Sequence, residues 1–231
     1  MAWALVQGLG TNSASSSATV VITTAVTHTA GNKIFVWIAW GLVTRSVSGV
    51  TDSAGNTYSP VDTQAFQTGK NGSLYVSTGS TALASGGTIT VTLSGSSTSG
   101  VMACAGEFSG GSTTIDGNVH TTGLSTTDPS LSGLGLSLSA SNELCVANIV
   151  TISAAPGDYS SSPAGWSNLY DFKCTGQNMC IRADYAIGLS AGARSDAWSG
   201  TLKNSWTLNV GALAIASAAA PGGQMPCFGA Q

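Results

Sequence analysis

The chain has 231 residues, of which only 7% are charged, and a formal net charge of -3, against roughly 25% charged residues in an ordinary soluble domain. That length suits one large β-sandwich or barrel, or two fused halves. Seven Lys and Arg residues, spread from Lys33 to Lys203, cannot supply the clustered positive field that nucleic acid or an anionic membrane surface requires, so neither partner is expected. The surface must be wetted by something other than charge: 34 Ser, 27 Thr and 30 Gly are poor material for helices, whereas Thr, Val and Ile suit a pleated sheet.

The fold class expected is all-β: an antiparallel two-sheet β-sandwich, jelly-roll-like. In chain order, short apolar or alternating segments bounded by Gly, Ser, Asn and Asp predict strands near Trp3–Gln7, Thr19–Val26, Lys33–Leu42, Val47–Thr51, Ser73–Thr78, Thr88–Ser94 and Val101–Phe108. A second set falls near Ser130–Leu138, Glu143–Ile152, Trp166–Phe172, Cys180–Ile187 and Ser205–Ile215. Thr88–Ser94 alternates cleanly, with Ile89, Val91 and Leu93 on one face and Thr88, Thr90 and Thr92 on the other. Ile34–Trp40 does not alternate, which predicts a central strand covered on both faces. The run Ile34–Val43 is about half the ~20 residues a membrane-spanning helix needs, and Met1–Val6 carries no positive n-region, so no secretory signal is expected.

Ala30-Gly-Asn-Lys-Ile-Phe-Val resembles Ala140-Ser-Asn-Glu-Leu-Cys-Val. Each is followed by a turn, Ser85-Gly-Gly-Thr or Ala191-Gly-Ala-Arg, and then by a closing strand, Val101–Phe108 or Trp206–Ile215. The pattern reads as an internal duplication, 20–110 and 130–217, inside one sandwich domain spanning 1–217, with Ser112–Asp128 as the crossover. Chance similarity in a low-complexity composition is the competing reading. Residues 218–231 lack charge and periodicity. They read either as an extended C-terminal arm anchored by Met225, Cys227 and Phe228, or as a disordered terminus.

Few residues suggest chemistry. Gly188-Leu-Ser-Ala-Gly matches the nucleophile-elbow pattern, but a strand rather than a helix is expected after it, and both histidines, His28 and His120, precede Ser190. Glu107 and Glu143, the only glutamates, could form a glycosidase pair; solvation of strand ends is the expected role. Asp52-Ser-Ala-Gly-Asn-Thr-Tyr has Ala54 where a calcium loop needs a ligand, so a hairpin turn with Gly55 and Asn56 at positive φ is expected. The five cysteines form no CxxC pair. Cys104 and Cys145 read as core residues, and Cys174 and Cys180 could close a small disulfide loop, although the odd count argues for thiols. No metal, cofactor or enzymatic activity is expected. Trp37, Trp40 and Trp206 fall in predicted strands and are expected to pack the core; Trp3, Trp166 and Trp198 lie nearer strand ends, where an aromatic can anchor an interface or stack on a sugar, although packing in the core is the favoured role for each.

Val47-Ser-Gly-Val-Thr-Asp-Ser-Ala-Gly-Asn-Thr-Tyr-Ser, Gly87-Thr-Ile-Thr-Val-Thr-Leu-Ser and Ala105-Gly-Glu-Phe-Ser-Gly resemble the Ser/Thr/Gly-rich β-sandwich proteins of tailed bacteriophages and prophages, over roughly Val20–Ala216. Among these the chain looks most like a capsid decoration, or cement, protein. The resemblance implies a structural module on the outer capsid surface of a virion, made in the host cytoplasm. Its implied partners are the major capsid protein and further copies of itself, most simply a homotrimer. Trp3, Met225, Cys227 and Phe228 are the expected assembly contacts, with Met1–Thr11 and Ala218–Gln231 as arms. Two other readings stay open: a carbohydrate- or receptor-binding module of a phage tail or fibre, with Trp166 and Trp198 as glycan contacts, and a subunit of a cell-surface layer or filament.

Overall fold

The computed structural model describes residues 2–41, 44–67, 70–79, 81–125, 130–152, 162–199 and 203–214. The described secondary structure is strand and turn throughout. The first half holds β1 (Ala4–Ala14), β2 (Ser17–Thr23), β3 (Lys33–Gly41), β4 (Val47–Asp52), β5 (Tyr58–Gln67), β6 (Lys70–Ser77), β7 (Thr88–Ser97) and β8 (Val101–Ser109). The second holds β9 (Ile115–Ser125), β10 (Ser130–Leu138), β11 (Leu144–Thr151), β12 (Trp166–Lys173), β13 (Cys180–Ile187), β14 (Gly192–Ser199) and β15 (Lys203–Leu213). Two of these, β5 and β9, are absent from the sequence-based set, and β14 is the strand expected without bounds after the Gly188–Gly192 pattern. Ser112–Asp128 is therefore mostly a strand, not a crossover.

All pairings are antiparallel. The first half forms a sheet β1-β8-β3-β6-β5 facing a sheet β2-β7-β4; the second forms β12-β13-β11-β15-β9 facing β10-β14. Strands 1-8-3-6 against 2-7-4 is the jelly-roll order, with β5 transferred to the end of the larger sheet. Reading β9 as β1, β10 as β2, β11 as β3, β12 as β5, β13 as β6, β14 as β7 and β15 as β8 reproduces the same order. The sandwich is thus built twice.

The two five-stranded sheets pack on each other, giving four layers and three apolar cores. Phe35, Trp37, Met102, Cys104 and Phe108 meet Leu144, Val146, Val150, Ile181 and Ala183 in the central core. Ile34, Val36, Ile38 and Trp40 point the other way, towards Val20, Ile22, Ile89 and Val91. Cys145, Ala147 and Ile149 face Leu136, Leu138 and Trp198. This double coverage is why Ile34–Trp40 shows no polar alternation. The residue-by-residue match of Ala30–Val36 to Ala140–Val146 is off by one: Val36 faces an outer core and Val146 the central core. With a side-chain period of two, a one-residue slip exchanges the faces.

The halves lock through one contact made twice. Val61 is the extra residue of a bulge in β5 and Leu169 of a bulge in β12. A Cβ on Gly211 would collide with Val61, and a Cβ on Gly106 would come within 2.6 Å of Leu169 Cδ2. Each bulge thus seats an aliphatic side chain over a glycine on the closing strand of the other half.

Candidate functional site

Trp166 and Trp198 do come together, edge-to-face at 5.0 Å, but at 7% and 0% exposure they are core, not the open sugar platform that the carbohydrate-binding alternative needs. The Trp198 indole N–H donates to Asp184 Oδ2 at 2.7 Å. Asp184, itself fully buried, also accepts from Asn168 Nδ2 at 2.8 Å, Ser162 Oγ at 2.8 Å and Arg182 Nε at 3.1 Å. Arg182 reaches Asp171 at 3.8 Å and gives a further hydrogen bond to Ser162. A tryptophan near a strand end is therefore drawn inward by a buried carboxylate fourteen positions away in the chain, a partner that spacing does not reveal.

Trp3 is likewise corrected. It is 3% exposed in the central core, with its indole N–H donating to the Leu213 and Ala214 carbonyls at 3.2 Å. The segment expected as an N-terminal arm is largely β1, paired along its length with β8. Met225, Cys227 and Phe228, the other expected assembly contacts, and the C-terminal arm lie outside the described residues, as does the Trp206 side chain.

No disulfide joins Cys174 and Cys180: both are buried free thiols. Cys174 N–H bonds to the Met179 carbonyl, and Cys180 lies opposite Lys173, so successive residues turn the two sulfurs to opposite faces of the hairpin. Reductant is accordingly expected to leave the Tm unchanged in differential scanning calorimetry, with no unfolding step lost. Burial raises the thiols of Cys104 and Cys145, the latter to about 12, which suits inert core residues.

The glutamates are not solvated strand ends, since both are fully buried. Glu107 accepts from Gln7 Nε2 at 2.6 Å and from the Thr29 N–H at 3.0 Å, and it also takes Asn32 Nδ2. Burial pushes this carboxyl up, but the three donors together outweigh burial and hold it below the usual range. Glu143 sits at the start of β11 with its own partners, Ser139 and Ala140, so each glutamate is tied into a separate turn.

In the Asp52 loop, Asp52 Oδ1 accepts from the Ala54 and Asn56 N–H groups, and Oδ2 from Asn56 Nδ2 and the Tyr58 hydroxyl. Both oxygens are spent on the turn. Gly55 has the expected positive φ of 79°, Asn56 does not, and the non-glycine residue in that region is Asn142 at 66°. The Gly188–Gly192 pattern is a turn from β13 into β14, and no helix follows it.

One polar cluster escaped sequence reasoning. At the seam between β5 and β9, the buried Asp62 holds His120 Nδ1 at 3.2 Å and Asn209 Nδ2 at 2.8 Å, while Asn148 Nδ2 donates to the Ile38 carbonyl at 2.8 Å. An aspartate on histidine Nδ1 is the orienting half of a nucleophilic triad, but no Ser or Cys among the described residues bonds to His120. These bonds tie five strands, β3, β5, β9, β11 and β15, across the two halves. Asp62 sits on β5 and His120 on β9, both strands that periodicity missed.

The outward face of β2-β7-β4 is a regular surface. Thr19 lies opposite Thr92, Thr90 lies between Val21 and Thr51, and Thr23 is opposite Thr88, while Val20, Ile22, Ile89 and Val91 on the reverse fill a core. β2 and β7 contain no charged residue, and the carboxylate of Asp52 on β4 is consumed by its turn. The hydroxyls of Thr23, Thr51, Thr88, Thr90 and Thr92 make no hydrogen bond among the described residues. Among the described residues the exposed large apolar side chains are scattered over three strands, Val6 on β1, Val21 on β2 and Ile115 on β9. Comparison with protein-family models and with curated proteins finds no match for the chain.

Proposed function

We propose that the chain is a structural protein of a bacteriophage virion, a capsid decoration (cement) protein that bridges and stabilises major capsid subunits on the outer surface, acting as a homo-oligomer and most simply a trimer. The observation that carries this reading is the threonine face of β2-β7-β4: it is free of ion pairs, the hydroxyls of Thr23, Thr51, Thr88, Thr90 and Thr92 are uncommitted, and it is backed by a packed core. Such a face docks on protein through hydrogen bonds and close packing that salt does not screen. Weak contacts repeated around a symmetry axis reach useful avidity. Burial of Trp166 and Trp198 removes the aromatic platform that favoured the carbohydrate-binding alternative.

The test is co-sedimentation with purified genome-filled heads. Stoichiometric binding is expected, with Thr90→Arg weakening it by about tenfold or more, because the new charge must be buried without a partner. Heads stripped of the protein should lose infectivity sooner under heat or osmotic shock. Absence from heads and presence on tails would select the receptor-binding alternative; labelling of uninfected cell surfaces would select the surface-layer one.

A further inference from the structure

Asp116, the second residue of β9, and Glu143, immediately before β11, are gathered by the turn that follows β10. Ser139 N–H donates to Asp116 Oδ2 at 2.7 Å, while Ser139 Oγ and the Ala140 N–H donate to Glu143 Oε1 at 3.2 and 2.9 Å. Glu143 is fully buried and its Oε2 has no conventional donor; the group in hydrogen-bonding contact with its carboxyl is the Asp116 carboxyl. The other titratable and charged groups facing the pair are Cys145 on β11 and Arg194 and Asp196 on β14. Arg194 is committed to Asp196 through Nε and an NH2 group, both at 2.9 Å. Two carboxylates in contact, one of them buried, cannot both stay ionised without a neutralising charge.

We propose that Asp116 and Glu143 share one proton, with Glu143 Oε2–H donating to the Asp116 carboxylate, and that the pair is a pH-sensitive latch on the β10–β14 cover of the second jelly roll. The turn it holds follows directly on Leu136 and Leu138, which seal that core. Burial first, and then contact with the Asp116 carboxylate, raise Glu143 above the usual range; the Ser139 donors hold Asp116 below it. A raised carboxyl stabilises the fold while protonated, and that contribution is lost as pH rises through its folded value. A depressed one stabilises above its unfolded value and loses this as pH falls through its folded value. The latch is therefore closed between the depressed folded value of Asp116 and the raised folded value of Glu143, and opens above that as two negative charges repel.

Thermal unfolding of the full chain from about pH 5 to about pH 8.5 tests this, with Glu143→Gln and Asp116→Asn as comparison variants. Relative to either variant, the wild-type Tm should fall measurably as pH rises across the range, by about 2 °C or more. Glu143→Gln keeps a neutral donor and should flatten the profile, while Asp116→Asn removes the like charge but leaves the burial of Glu143 and should make the fall smaller. Amide exchange at Leu136–Leu138 should speed up above the transition in the wild type only, after correction for the intrinsic rate. Parallel profiles in all three proteins would overturn the latch. If Glu143→Gln does not fold, Asp116→Asn on the more open side of the pair decides alone.

Discussion

Replacing Asp184 by alanine is expected to lower stability by about 3–5 kcal/mol, the cost of breaking a buried charge cluster by removing one member. The Asp184 carboxylate takes donors from Trp198, Asn168, Ser162 and Arg182 at once. Without it Arg182 keeps Asp171 only at 3.8 Å, and a buried indole N–H loses its acceptor. Asp184→Asn should cost less, about 1–3 kcal/mol, since it preserves shape but presents donors to donors. Urea unfolding followed by tryptophan fluorescence reads both effects, because Trp198 is the reporter and the partner. Equal midpoints for wild type and Asp184→Ala would show that the cluster carries no net stability.

Gly211→Val should destabilise by about 2–3 kcal/mol, the upper part of the range for overpacking a tight interior, and so lower the Tm by roughly 4–12 °C. A Cβ at Gly211 enters the space of the Val61 side chain, so relief requires moving β5 away from β15 and parting the two halves. Val61→Ala opens that space. The double variant Gly211→Ala with Val61→Ala should recover part of what the singles lose, with a coupling of about 1 kcal/mol or more. Additive losses in the calorimeter would mean that the glycine is not the seat of Val61. The exchanged pair, Gly106 and Leu169, should behave alike, since it makes the same contact with the roles of the halves reversed.

These two sites differ in how far they could be read in advance. The strands that bury both faces were legible: Ile34–Trp40 is apolar without interruption and Leu144–Val150 is apolar but for Asn148, and the first of these lost its alternation for the reason the four-layer stack provides. The halves matched in their turns and closing strands. Their register did not, because short runs of Val, Ala and Leu align equally well one residue apart, while the sheet face depends on that single step. β5 and β9 went unseen, and β14 was foreseen only as a strand of unstated extent, because each lies at the end of its sheet or in the two-stranded cover. Tyr58–Gln67, Ile115–Ser125 and Gly192–Ser199 carry polar residues where they meet solvent or the seam, and that dilutes the period of two.

The candidate site was less legible. Thr88–Ser94 displayed its threonine face in the sequence, and the structure adds only the flanking strands that extend the face in register. Asp62 with His120, Asp184 with Trp198, and Asp116 with Glu143 join residues from separate strands, and a one-dimensional pattern holds no signal for such pairs. The tryptophans show the same limit: core packing was the favoured role for Trp3 and Trp198, but the buried acceptors that hold them come from distant segments.

Composition and periodicity by themselves determined that this chain is an all-β protein with a hydroxylic, nearly uncharged exterior and doubly covered central strands, because those properties are local: each follows from a residue's own chemistry and from its neighbours two positions away. Only the tertiary structure decided that the sandwich is doubled, that glycines receive bulged side chains across the seam, and which carboxylates are neutralised by which donors. Those outcomes depend on contacts between segments far apart in the chain, where the cost of leaving a buried charge or a packed volume unmatched selects one arrangement.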